Sequence, residues 1–549
     1  MSQLYARSIL VLALLFGLLF AVGAGILYYY NVPVGFAVAF AVGIVLLQYL
    51  ISPFLIDLIF KIRWTVPEEI SPQFAGFLRD LCWKRGIPVP RFGIIDDGNP
   101  NAFTYGHMPG DARLVVTRGI QQMLTEEEFS AVVAHEVGHI RHYDFIVMTL
   151  ASVVPLVLYV LYVWTRSGRR GGSYAAVVAL GAYVAYVVSQ YIVLLLSRIR
   201  EYFADEHAAY SVSSAHSIGT ALIKIAYGLA RIPQDQLQQD QAKKKQIAVN
   251  PSRLMGSLGI CSFSSATPMA LYSTTATGHF SFDKMARAMQ WDLWNPWARI
   301  FELQSTHPLI ARRVLAASRI AYRRRQTPQL DMPRPPKESY WREFVMDLIF
   351  VAVPYLGLAV GGAGLLSGAY TLHTGRAEAM LGAQQIAWLG PLALGILLFG
   401  IGWMLRLAYS YSNQFRRAKV EDLVGEVAVS HVRCIPVQVE GQVIGRGVPG
   451  LFWSKDLVVQ DDTGFITLVY KQPLSILETL FGLFRADRFV GRKGVFRGWY
   501  RRGPAPYLEL REAVFEDGDR ANCYYYAFAW IGAILAALAG GLILLLVSA

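Results

Sequence analysis

Charge is what this chain has least of. Of 549 residues only 16% are charged, whereas 54% are hydrophobic, and the mean hydropathy is +0.36. A soluble domain carries about 25% charged residues, so the deficit excludes an ordinary soluble globule and points to a membrane protein. Cysteine is scarce as well. Cys82, Cys261, Cys434 and Cys523 lie far apart and form no CxxC pair, which excludes a disulfide framework and a thiolate zinc site. The net charge of +12 suits lipid or nucleic acid, but the cytoplasmic arginine excess of a multi-span protein accounts for it more simply.

What is abundant is apolar runs. Seven stretches, at 9–29, 35–55, 145–164, 174–196, 348–370, 386–405 and 524–547, are each near the ~20 residues that cross a bilayer. The first is read as an anchor, because its apolar run exceeds a signal-peptide core and a second run follows at once. Lys61, Arg63, Arg198, Arg200, Arg406, Arg416 and Arg417 flank the spans on one side, which puts the N-terminus and the large hydrophilic segments in the cytoplasm of a multi-pass plasma-membrane protein. Arg166, Arg169 and Arg170 disagree, lying on the expected outside.

Three hydrophilic blocks separate these runs. In the first, 70–85 reads as a helix, and 91–95 and 113–117 as short strands. The second is mostly helical, with a Ser/Thr/Gly-rich loop at 252–278 that would suit a gate over a site. In the third, strands are expected at 425–432, 457–460, 465–470, 493–500 and 507–510, with Asp462-Thr-Gly464 as a hairpin turn and a helix at 474–481. Five strands with a helix after the third follow the order of an OB-type barrel. Its arginines, Arg485 to Arg502, are read as a solvated or lipid-facing surface in preference to a nucleic-acid interface.

The ionisable chemistry is concentrated in Ala131-Val-Val-Ala-His-Glu-Val-Gly-His-Ile-Arg-His-Tyr-Asp-Phe145. Thr125-Glu-Glu-Glu128 is a capping box, so a helix starts there and is expected to run on into the third span. On it His135 and His139 share a face, with Glu136 about 100° around. Two imidazoles at this spacing suit one tetrahedral Zn²⁺, and a neighbouring Glu suits a general base for the hydrolytic water. His142 is roughly 10.5 Å along the axis from His135, too far to converge on the same ion. Asp144 falls on the opposite side. A better third ligand comes after the fourth span: Glu201, with Asp205 one turn on to hold a histidine ring. His207 is the rival, but projects roughly 240° from Glu201. Gly138 and Ala204 are small enough for the two helices to approach closely.

His135-Glu-Val-Gly-His139 followed by Glu201-Tyr-Phe-Ala-Asp205 resembles the HtpX-type integral-membrane zinc endopeptidases, relatives of the CAAX prenyl proteases. Asn101-Ala-Phe103, Asn295-Pro-Trp-Ala-Arg299 and Ser305-Thr-His-Pro308 with Arg313 extend the resemblance over about residues 1–325. It implies zinc on His135, His139 and Glu201, with Glu136 as base. It also implies a strand bearing Asn101, Ala102 and Phe103 that aligns substrate by β-addition, and His307 and Arg313 as cationic groups near the oxyanion.

The expected fold is therefore a mainly α polytopic membrane protein: a zincin-like core with a small β-meander or strand element, plus a C-terminal β-rich, OB-like domain. In residues, 1–60 holds two spans, 61–344 the metalloprotease core, 345–412 two spans, 413–522 the cytoplasmic β-rich domain and 523–549 a final span. The function expected is cleavage of membrane proteins at the cytoplasmic surface, in quality control. The alternatives are processing of prenylated peptides, against which the early position of the HExxH counts, and a non-catalytic scaffold acting through the C-terminal domain.

Overall fold

The structure is a computed structural model, and it describes residues 34–60, 62–98, 100–167, 173–225, 282–327, 336–373, 389–446, 455–503 and 505–548, together with Leu14, Leu15, Leu18 and Met332. Two compact units divide these residues. The first takes those up to 225 and 299–332; the second takes 282–298 and those from 336 onward.

In the first unit, helix α1 (Val34–Ile59) precedes strand β1 (Arg63–Trp64), helix α2 (Pro72–Arg85) and strands β2 (Arg91–Ile95), β3 (Ala102–Tyr105) and β4 (Arg113–Thr117). The strands form one sheet in the order β1-β2-β4-β3. Of the expected meander or strand element it is the latter, not a meander: β2 and β4 run parallel, and β4 is inserted between β2 and β3. The physical reason is burial. Leu114, Val115 and Val116 of β4 are fully buried, and the most apolar strand takes the centre. Strand β3 is left at an edge, pairing among the described residues only with β4.

Helix α3 (Glu126–Arg141) begins at the expected capping box. Glu128 N donates to Thr125 Oγ1 at 3.3 Å, and Thr125 N donates back to Glu128 Oε2 at 2.9 Å. It does not run on into the third span. The helix ends at Arg141, Tyr143 takes a left-handed φ of 58°, and a new helix α4 (Asp144–Ser167) starts with an acidic residue in its first turn. Helix α5 (Ser173–Ser211) has 39 residues, about 58 Å at 1.5 Å per residue, nearly twice the ~30 Å hydrocarbon thickness. Its C-terminal turns, which carry Glu201 and Asp205, are therefore surplus to a crossing. Helix α6 (Ile310–Arg323) completes the unit.

The second unit holds helices α7 (Trp341–His373), α8 (Leu389–Ser410) and α10 (Tyr525–Ser548), with a β-rich segment between α8 and α10. The three helices meet through small residues. A Cβ added at Gly395 would collide with the backbone of Gly361, and one at Gly400 with that of Ala537. Strands β5 (Arg416–Arg417), β6 (Ile435–Arg446), β7 (Leu457–Gln460), β8 (Phe465–Val469), β9 (Lys493–Arg502), β10 (Pro506–Phe515) and β11 (Arg520–Asn522) follow, with helix α9 (Ser475–Phe484) between β8 and β9.

Pairing runs β6-β7-β8-β10-β9 and back to β6, closing a five-stranded ring in which β8 and β10 are parallel. The expected first strand at 425–432 is irregular; the strand is Ile435–Arg446 instead. Pro436, Gly441 and Gly445 obscured it, and Gly441 is required because its Cβ would strike Gln460 O across the sheet.

Among the described residues, five helices are long and apolar enough to cross a membrane: Asp144–Val163, Ala176–Ser211, Trp341–Tyr370, Leu389–Ser410 and Tyr525–Ser548. The chain is an integral membrane protein. The expected second span lies in α1, while the first (Leu14, Leu15 and Leu18 apart), Arg169, Arg170 and the loop 252–278 lie outside the described residues.

Candidate metal and active site

Helix α3 lies against α5 at Gly138, where an added Cβ would sit 3.2 Å from Ala204 Cα. This close approach brings the C-terminal half of α3 to the surplus turns of α5. His135 Nε2 and His139 Nε2 lie 3.1 Å apart, and Glu201 oxygens lie 3.6 Å and 3.5 Å from them. Among the described residues, His135, His139 and Glu201 form a group able to hold a metal ion, with donor atoms within 4.8 Å of one another.

The second nitrogens explain what the first ones offer. His135 Nδ1 is 3.0 Å from Asp205 Oδ1, and His139 Nδ1 is 2.5 Å from Asp144 Oδ2. A carboxylate only accepts, so each ring proton belongs on Nδ1, leaving the two Nε2 lone pairs aimed at each other and at a carboxylate. Glu201 is buried, and its Oε2 has His307 Nδ1 at 3.0 Å and Arg313 NH1 at 3.3 Å beside it, which hold its carboxyl well below the usual range and keep it anionic. Two imidazole lone pairs meeting at 3.1 Å beside an anionic carboxylate fit a cation, so the donor set passes the test for a metal.

Burial sets the state of the neighbouring groups. His135, wholly enclosed, is pushed down to about 4 and is neutral, as a ligand must be. Burial likewise pushes the Glu136 carboxyl up to about 7, opposed by His139 and by the hydrogen bond that Thr104 Oγ1 donates to Glu136 Oε2 at 2.9 Å. A carboxylate with its pKa near neutrality is matched to taking and returning a proton.

Asp205 and Glu201 are braced from α6. Arg313, fully buried, donates to Asp205 through Nε at 2.8 Å and NH2 at 2.7 Å. The segment bearing His307 is held by Arg198 NH1, which donates to the carbonyls of Glu302 at 2.7 Å and Ser305 at 2.9 Å. Asn101, Ala102 and Phe103 are buried at the start of β3. Ala102 N donates to Asn101 Oδ1 at 2.9 Å, and Thr104, next along the strand, reaches Glu136.

Two residues set aside as ligands are elsewhere. His142 caps α3 and its carbonyl accepts from Arg200 NH2 at 2.5 Å, while His207 Nδ1 bonds Ala134 O at 2.9 Å. Sequence reasoning missed Asp144, Thr104, Arg198 and Arg200. Asp144 was expected on the far side of a continuous helix, but the break at Tyr143 swings it back onto His139, and Arg200 pairs with it. An acidic residue opening an apolar run is a helix-start signal, and it marked the break.

Comparison with known proteins adds to this. The model of Peptidase family M48 matches residues 76–321. A "Protease HtpX homolog" from Methanothermobacter thermautotrophicus is 38% identical over 234 residues, covering 42% of this chain and 89% of that protein. Another, from Aeropyrum pernix, is 30% identical over 295 residues, covering 52% and 85%. The crystal structure of S. mikatae Ste24p aligns over 58% of this chain and 67% of that one, at 16% identity and a TM-score of 0.33, a level at which no fold argument follows.

Proposed function

Because the chain belongs to peptidase family M48, as an HtpX-like metalloprotease, we propose that it is a membrane-embedded zinc endopeptidase that cleaves membrane proteins or their peptides at the cytoplasmic surface, in membrane-protein quality control. The observation that carries this is the convergence of His135 Nε2, His139 Nε2 and a Glu201 oxygen, with Glu136 alongside. Two imidazoles and one carboxylate, from His135, His139 and Glu201, are the donor set that would hold zinc for hydrolytic chemistry. Bound there, zinc would supply Lewis acidity toward the scissile carbonyl and the attacking water.

The chain's own groups do the rest. Glu136, oriented by Thr104, takes the proton of the hydrolytic water and passes it to the leaving amine. Asp205 and Asp144 hold the two rings in the tautomer that presents Nε2. Of the two cationic groups expected at the oxyanion, Arg313 is committed to Asp205 and Glu201, so its role is to orient them. His307, beside Glu201, is the group left for the oxyanion. Strand β3, whose outer edge pairs with no strand among the described residues, would align an extended substrate alongside Asn101, Ala102 and Phe103. The surplus length of α5 supports a site at the membrane surface, and the basic flanks support the cytoplasmic side. We read the first unit as zincin-like and the closed ring with a helix after its third strand as OB-type, within the expected boundaries of 413–522.

The test is Glu136→Gln in the full chain, assayed on a membrane-protein substrate and a farnesylated peptide, with metal content measured alongside. Expected are about one zinc per chain and a loss of membrane-substrate cleavage by roughly 10²–10⁴-fold. Undiminished cleavage would remove Glu136 from the mechanism, absence of metal would remove the enzyme reading, and preference for the farnesylated peptide would reassign the substrate.

A further inference from the structure

Helix α9 is inverted relative to a soluble helix. Ile476, Leu477, Leu480, Leu483 and Phe484, spaced to share one face, are exposed, Ile476 at 64% and Phe484 at 71%. The opposite face is the one that packs. Phe481 stacks on Tyr470 with ring centroids 3.7 Å apart, and Glu478 accepts from Gln472 N at 2.9 Å and pairs with Lys455. A helix held to its barrel by one face and presenting five large apolar side chains on the other needs a cover, because soluble surfaces rarely expose such a contiguous patch.

Its position says what the cover is. Gln472, just ahead of the helix, donates through Nε2 to Asn522 O at 2.8 Å, and its Oε1 accepts from Tyr524 N at 3.4 Å, one residue before α10 begins. Lys471 Nζ stands 5.4 Å from the Tyr525 ring centroid. Helix α9, whose ten residues span about 15 Å, thus begins three residues after the point that touches the entry of the chain into its last apolar helix. There Tyr524, Tyr525 and Phe528 are exposed, as in the aromatic belt of a bilayer interface. Arg485 and Arg488, both exposed, follow the helix and suit phosphate headgroups.

We propose that α9 lies in the plane of the membrane, its Ile476–Leu480–Phe484 face sunk at the headgroup–acyl boundary of an anionic leaflet, and that it pins the barrel to the bilayer.

The test uses the full chain in vesicles of phosphatidylcholine and phosphatidylglycerol, in a background lacking the four native cysteines. A polarity-sensitive fluorophore is attached at Ile476→Cys, Leu480→Cys or Phe484→Cys. Glu516→Cys, in the β10–β11 turn at the far end of β11 from α10, is the aqueous control. The expected result is blue-shifted emission at the three helix positions, quenched by lipids with nitroxide high on the acyl chain and resistant to iodide, with the reverse at 516. Iodide quenching at all four positions would overturn the proposal. So would shielding of the helix labels from both quenchers, which would mean a protein covers the face.

A second measurement guards against a variant that misfolds. In Leu480→Ser with Phe484→Ser, hydrogen exchange in vesicles should lose protection over 475–484 while strands β6 to β10 keep theirs. Unchanged protection of the helix, or its loss already in the unsubstituted protein, would overturn membrane seating.

Discussion

Two buried charge networks in this molecule each set a glutamate beside an arginine and end differently. Around Glu509, in the second unit, every group is answered. Arg501 Nε donates to Glu509 Oε2 at 2.8 Å, its other nitrogens donate to the carbonyls of His431, Val432 and Ser410, and Tyr411 OH donates to Glu509 Oε1 at 2.7 Å. Around Glu201, in the first unit, the donors run out. Two imidazole lone pairs face each other at 3.1 Å with no proton to share, although His307 and Arg313 stand beside the Glu201 carboxylate. A saturated network is tolerable as scaffold, whereas an unsaturated one is costly until a cation completes it. Satisfaction of donors and acceptors, more than charge or burial, therefore distinguishes a site from a brace.

The sharpest way to break the comparison is Glu201→Ala. It should abolish metal binding and take hydrolysis to the level of Glu136→Gln, whereas the fold, followed by circular dichroism, should persist. Retained stoichiometric metal would show that the converging donors are only another brace. Next is Arg501→Met, which strands a buried carboxylate and should destabilise the barrel by about 3–5 kcal/mol. Faster hydrogen exchange over β9 and β10 with full metal content is expected, and loss of metal instead would erase the distinction.

Smaller effects sharpen the contrast. Asp205→Asn removes the ring's anionic support and should weaken metal affinity roughly 10–100-fold, read by competition with a chelator. Gly138→Ala introduces a Cβ 3.2 Å from Ala204, where better helix propensity and tighter packing oppose each other. A net loss of about 1 kcal/mol is expected, with weakened metal binding as the helices part.

The mildest test is acid. Burial alone would raise the Glu509 carboxyl, but Arg501 and Lys471 hold it below its usual value. A carboxylate held below its unfolded value stabilises fully above that value, and the stability is lost as pH falls through the folded one. After allowance for the slower intrinsic exchange in acid, barrel strands should thus lose protection as pH falls below the usual carboxylate value, and unchanged protection there would mean that the pair does not hold the barrel.

Much of the site was legible because its parts are local. The shared face of His135 and His139, the Thr125 cap and the small residues at 138 and 204 follow from helix periodicity and side-chain size. So do the bounds of β2, β4 and β7, which alternation and turn residues mark directly. Strand β6 was missed because its proline and glycines argue locally against a strand that cross-strand pairing enforces. Asp144 was misplaced because one left-handed residue, Tyr143, redirects every residue after it.

By itself the sequence determined the chemistry: which donors exist, which share a helix face, and that the chain partitions into a membrane. Those properties depend on residue type and short-range spacing. Only the tertiary structure decided which carboxylate holds which ring, that Arg313 is bound to Asp205, and that one charge network closes while another does not. These depend on the packing of α5 and α6 onto α3, across separations that no local periodicity encodes.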